Sequence, residues 1–177
     1  HPQVHELIQR DAKLLAFASM ERARDELCKI LALSNPTKWL RRADSLGLLV
    51  ALIPEISALA PTTQSAPHVF NVFDHTMRVL DELESVQSKK YNKVAGGEFA
   101  SEIELHFNRN VASDHSRPVI LRVAALLHDI AKPQTRSVDA KGKVHFYAHE
   151  SRGAEMAEQI LRRLRFSNDE AELVQKI

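Results

Sequence analysis

Apolar residues recur three and four apart over most of this chain, a spacing that predicts helix. Between residues 4 and 33 the stripe is carried by Leu7, Leu14 and Leu15, then by Leu27, Ile30 and Leu31. Ser19 can cap a fresh helix in the middle and split this run in two. Asn35-Pro36 is a restart, a capping residue followed by a first-turn proline. The helix it opens carries Trp39, Leu40, Ala43 and Leu46 on one face, with Trp39 expected as a core anchor, and ends at Gly47. A short apolar segment over 48–53 runs up to Pro54. Residues 60–68, APTTQSAPH, hold two prolines and no periodicity, and they divide the chain into 1–62 and 63–177.

In the second part Phe73, Met77, Leu80 and Leu83 mark a helix with His75 near its start. Residues 88–117 are polar, contain Gly96-Gly97, and read as a mobile connection with one short helix around 98–107. Then comes PVILRVAALLHDIAKP, 118–133, apolar on nearly every side and therefore expected to be a buried helix. Alternation in TRSVDAKGKVHFY around Gly142 predicts a small hairpin. A helix over 149–164 turns Ala154, Ala157, Ile160, Leu161 and Leu164 inward, and Ser167 with Glu170 forms a capping box that opens the last helix. The class is all-α, a helical bundle packed around 118–131.

Composition changes this picture little. The 177 residues carry 24 basic and 23 acidic side chains, so no global charge pushes the chain toward nucleic acid or membrane. The single cysteine, Cys28, excludes an internal disulfide, lies among leucines where burial is expected, and fits a cytoplasmic setting. The longest apolar run is far too short to span a bilayer. The chain opens at His1 without methionine and closes inside a helical pattern, which suggests a part of something longer.

The candidate chemistry sits at the end of the buried helix. A buried carboxylate must be paired or bound to metal, and Asp129 lies at the helix's negative end, where an anion is disfavoured. Lys132 is one source of positive charge; a metal ion is the other. Nine histidines are available as partners. Adjacent helical residues point about 100° apart, so His128 and Asp129 need a third ligand from another helix, and His75 is the natural supplier. Imidazole plus carboxylate suits several divalent metals and does not select one. On spacing alone, a metal site competes with a satisfied histidine and an Asp129–Lys132 pair.

FDHT at 73–76, LRVAALLHDIAKP at 121–133 and FYAHE at 146–150, in that order, resemble the HD superfamily of metal-dependent phosphohydrolases, and more narrowly the HD domain attached to tRNA nucleotidyltransferases and bacterial poly(A) polymerases. Residues 21–56 are similar to the helical neck that precedes that domain, 162–174 match the segment that follows the His-Glu of FYAHE within it, and Gln64 and His68 fall where the family tends to place a glutamine and a histidine. The resemblance implies an HD-domain helical bundle over 63–177 preceded by a helical neck over 1–62. It implies that His75, His128 and Asp129 are metal ligands for a divalent ion (Mg, Mn, Ni, Co, Fe or Zn). Asp129 also counts among the catalytic residues, with Lys132 on substrate phosphate and His149 as a further phosphate or second-metal residue. The implied substrate is a nucleotide or RNA-end phosphate; tRNA binding through the neck and a homodimer are the implied partners, with no membrane. His68 and His145 are expected to have no role in the site, and Arg162, Arg163 and Arg165 to form a solvated face. Three departures stand out: Ala131 replaces the family's glycine, the final aspartate ligand has no counterpart up to Ile177, and the nucleotidyltransferase head is absent. The other reading is therefore a non-catalytic RNA-binding or dimerisation tail.

Overall fold

The computed structural model describes residues 2–66, 69–88, 99–109 and 115–177. His68, Gly96-Gly97 and much of the expected mobile connection lie outside the described residues. The chain is helical nearly throughout: α1 (Pro2–Asp11), α2 (Met20–Ala32), α3 (Pro36–Ser45), α4 (Leu48–Leu52), α5 (Val72–Ser88), α6 (Ala100–Phe107), α7 (Arg117–Leu127), α8 (Lys132–Thr135), α9 (His149–Arg163) and α10 (Asn168–Gln175). Short 3-10 turns, Ala12–Phe17 and Pro54–Ala58, follow α1 and α4. One hairpin pairs β1 (Arg136–Val138) with β2 (Val144–Phe146), Ser137 opposite His145. No helix among the described residues is long and apolar enough to cross a membrane.

Local chemistry sets the boundaries. The Ser19 hydroxyl accepts from the Arg22 amide at 3.4 Å and starts α2. Asn35 caps α3 ahead of Pro36. Gly47, at φ +75°, supplies the left-handed residue that turns α3 into α4, and a Cβ there would meet the Ala12 Cβ at 3.5 Å. Ser167 and Glu170 satisfy each other's backbone amides at the start of α10, as the sequence motif requires.

The apolar core is continuous from Ala23 to Val174 and includes Cys28. At its centre α7 buries every residue from Arg122 to Leu127, packed against α2, α5 and α10. Arg122 is the exception in an otherwise apolar run, and its burial has a reason. Its guanidinium donates to the carbonyls of Leu31 and Leu33, at 2.5 and 2.9 Å, and to Gln87 Oε1 at 2.8 Å. The first two are end-of-helix carbonyls of α2, groups that lack an intrahelical partner. One cation thus joins α2, α5 and α7.

Two expectations fail. Trp39 is 47% exposed rather than a core anchor. The inward face of α3 is set by Pro36, Thr37 and Leu40, which leaves Trp39 on the outer flank with Lys38 Nζ 5.4 Å from its ring. Leu7 and Leu14 are also largely exposed; Leu14 falls in the 3-10 turn that begins at Ala12, where the stripe loses its helical period. The three arginines Arg162, Arg163 and Arg165 are exposed, as expected, and within that face Arg163 grips Glu55 with two bonds of 2.8 Å.

Replacing Arg122 with Met keeps most of the volume but takes the donor from the buried Leu31 carbonyl and from the part-buried Leu33 carbonyl. Urea unfolding of Arg122→Met should show a loss of about 2–4 kcal/mol; a loss under about 0.5 kcal/mol would mean that these contacts carry little weight.

Candidate metal centre

Two helix ends make the site. At the start of α5 the Asn71 side chain accepts from the Asp74 amide at 2.8 Å, and its carbonyl takes the His75 amide at 2.9 Å. Arg41 holds Asp74 from α3 at 2.7 Å. His75 is thereby fixed on the first turns of α5. At the other end, α7 stops at Leu127, one residue before the doublet expected inside its last turn. Residues 128–131 form a tight turn, closed by Ile130 N to Leu127 O and by Lys132 N to Asp129 O, each 3.0 Å. Ala131 sits there in right-handed geometry (φ −90°, ψ −8°). A glycine is not needed, so this departure from the family pattern carries no backbone cost.

The turn brings 128, 129 and 132 to one point facing His75. Asp129 is 3% exposed. Its Oδ2 lies 3.1 Å from His128 Nε2, 3.6 Å from His75 Nε2 and 2.8 Å from Lys132 Nζ. His149 Nε2 is 3.9 Å from Oδ1. The rings of His75 and His128 are 5.4 Å apart. These contacts are close, but none is aligned as a hydrogen bond to Oδ2, which is fully buried. Burial opposes the Asp129 charge, yet His128 and Lys132 outweigh it and hold the carboxyl down at about 2. Burial likewise depresses His128, and the neighbouring carboxylate more than reverses that.

Of the alternatives left open by spacing, the ion pair is present, and beside it lies a donor grouping that could hold a metal. The Asp129–Lys132 pair forms, and one ligand atom each from His75, His128 and Asp129 falls within 4.8 Å of the others. That is a possible divalent-metal site, and the donors suit one. His128 Nδ1 donates to the Ala125 carbonyl at 2.8 Å and His149 Nδ1 to the Phe146 carbonyl at 2.7 Å. A carbonyl can only accept, so in the neutral ring the proton sits on Nδ1 and the Nε2 lone pair points inward. Among the described residues, this is the grouping of histidine, cysteine and carboxylate donors with the spacing for an ion.

Besides Asp129, Lys132 has two partners, Gln64 Oε1 at 2.8 Å and the Phe146 ring at 5.4 Å. Phe146 escaped the residue-by-residue reading; only its place in FYAHE pointed to it. His145 is satisfied locally, 3.0 Å from Asp139 and stacked on Tyr147. A cleft of about 300 Å³ opens beside the centre, lined by His128, Asp129, His149, Gly153 and the end of α10. A larger one, about 440 Å³, lies between α2, α3 and α4, but its walls are mainly apolar and hold no histidine.

Comparison with known families agrees with this geometry. Residues 68–177 match the model described as "HD domain", and residues 1–59 match "Probable RNA and SrmB- binding site of polymerase A". An A-adding tRNA nucleotidyltransferase of Deinococcus radiodurans is 31% identical over 152 residues, 85% of this chain and 29% of the relative. A CC-adding tRNA nucleotidyltransferase of Thermus thermophilus is 27% identical over 97% of this chain and 35% of its own length. A bifunctional uridylyltransferase/uridylyl-removing enzyme of Novosphingobium aromaticivorans is 32% identical over 98% of this chain and 17% of its own. The chain thus spans about a third or less of the curated relatives it matches.

A carboxyl held at about 2, below its ordinary value, stabilises the fold above the unfolded value and loses that contribution as pH falls through the folded one. For the metal-free protein, the stability gap between wild type and Asp129→Asn should shrink by roughly 2 kcal/mol between pH 5 and pH 2. A gap independent of pH in thermal melts would contradict the pairing.

Proposed function

The chain belongs to the HD domain family, and from that membership we propose that it is a metal-dependent phosphohydrolase acting on phosphomonoesters or cyclic phosphodiesters of nucleotides or RNA ends, within a protein of the tRNA nucleotidyltransferase or poly(A) polymerase type. The observation that carries this reading is the convergence of His75, His128 and Asp129 within 4.8 Å, with Lys132 on the same carboxylate. His75, His128 and Asp129 would hold the ion. A divalent ion there supplies Lewis-acid polarisation and water activation at neutral pH.

The chain's own groups do the rest. Asp129, buried and ionised, orients both imidazoles. The Ala125 and Phe146 carbonyls fix the tautomers of His128 and His149. Lys132, steadied by Gln64, offers its ammonium to phosphoryl oxygens as negative charge builds on them. His149 stands next to the carboxylate and lines the adjoining cleft, placed to contact phosphate or a second ion. The uridylyl-removing activity in one relative's name is in keeping with cleavage at phosphorus.

A second reading is favoured by the RNA-binding match over 1–59 and by a ligand grouping that stops at three among the described residues. In it the chain is a non-catalytic element that holds RNA, tRNA included, or pairs subunits in a tRNA nucleotidyltransferase-like protein.

Purified protein supplied in turn with Mg, Mn, Co and Ni should hydrolyse a generic phosphatase substrate or a 2′,3′-cyclic nucleotide with at least one metal. His128→Ala should lower the rate by at least about 100-fold. Absence of turnover with every metal, or a rate untouched by that substitution, would overturn the hydrolase reading. The RNA-holding reading expects metal-independent tRNA binding that weakens steeply with salt; no affinity at low salt would contradict it.

A further inference from the structure

The cleft beside α9 has a neighbour. A second one, about 350 Å³, opens between residues 64–66, the start of α8 and the hairpin. His149 lines both clefts; His128 and Asp129 line the first, Lys132 the second. The polar groups around the second are Gln64, Ser65, Lys132, Lys143, His145 and His149. Among the described residues, no carboxylate is on its wall.

Three features fit this cleft to an anion. Lys143 is exposed, and among the described residues it makes no ion pair with a carboxylate. The nearest acid on the hairpin, Asp139, is already taken up: it accepts from the Lys141 and Lys143 amides, at 2.9 Å each, and lies 3.0 Å from the His145 ring. The Ser65 hydroxyl accepts from the Val144 amide at 2.7 Å, which ties the loop to β2 and leaves its own proton to donate. Lys132, 8% exposed, has Gln64 Oε1 and the Asp129 carboxylate at 2.8 Å each and lines this cleft with its cationic side chain. The cleft therefore presents cationic and hydroxyl donors on walls held by hydrogen bonds, next to the candidate metal centre.

We propose that this cleft binds a second phosphate of the substrate, one bonded along the chain from the phosphate that meets His75, His128 and Asp129. The favoured substrate is then a nucleotide or RNA end with two phosphates in succession rather than an isolated phosphomonoester. The proposal rests on the hydrolase reading for the first phosphate, but binding of the second does not depend on turnover.

Calorimetric titration with orthophosphate, inorganic pyrophosphate and a 3′-phosphorylated ribodinucleotide separates the two. The wild-type chain, loaded with whichever divalent ion it binds, should hold one of the two-phosphate probes about tenfold or more tighter than orthophosphate. Pyrophosphate as the better probe marks a nucleoside-polyphosphate substrate; the dinucleotide marks an RNA end. Lys143→Gln, at an exposed position with no fold role, and Ser65→Ala should each bring that preference down toward one. Equal affinity for all probes in the wild type, or a preference that survives Lys143→Gln, would overturn the proposal. A preserved, Lys143-dependent preference without hydrolysis of any substrate would uphold the cleft and sink the hydrolase reading alone.

Discussion

An ionised carboxylate sits inside the apolar core at the end of its most apolar helix, and the arrangement around it follows from that charge. A buried anion without compensation costs several kcal/mol, and the carbonyl end of α7 adds a further penalty. Without an ion, the Asp129 charge is held by the Lys132 ammonium and by His128 in its protonated form, both close to Oδ2. Remove these neighbours and the group would take up a proton or force water into the core. The groups around the carboxylate come from α5, from the 128–131 turn that follows α7, from α8 and from α9, so the site and the packing of those helices are a single problem.

The fold solves it by anchoring helix ends. Asn71 and Arg41 fix the start of α5, and thus His75. Arg122 locks the middle of α7 to the end of α2, which keeps the 128–131 turn in register. α9 passes that turn at Gly153, where a Cβ would make only ordinary contact, 3.6 Å, with the His128 carbonyl. Pairing β2 to Ser65 brings Phe146, and with it His149, up to Lys132. The stiff elements are helices; the groups that would meet substrate lie at their ends and on the hairpin, where backbone turns can aim side chains at one point.

Much of this is legible in the sequence. The helical class, the Asn35-Pro36 restart, the Ser167–Glu170 box and the hairpin about Gly142 each follow from local chemistry, and each is present. That His75 and Asp129 meet could be argued only from a carboxylate needing cations and from the order of three short motifs. Spacing gave no way to see that Lys132 and the imidazoles would share one oxygen. Trp39 was misjudged because its helix is amphipathic with a ragged boundary, and periodicity cannot decide which flank a bordering aromatic takes. Arg122 reads as an intrusion in an apolar run; its carbonyl partners lie about 90 residues away and leave no local trace. Lys143 and Ser65 form one wall only through the hairpin's tertiary pairing, which no motif encodes.

The central claim is that His75, His128 and Asp129 hold a single divalent ion. The most direct test is anomalous diffraction from crystals grown with Mn or Co. The account predicts one strong peak at about 2.0–2.3 Å from His75 Nε2, His128 Nε2 and an Asp129 oxygen. Crystals soaked at saturating metal that show no peak there, with Lys132 still on Asp129, would contradict it.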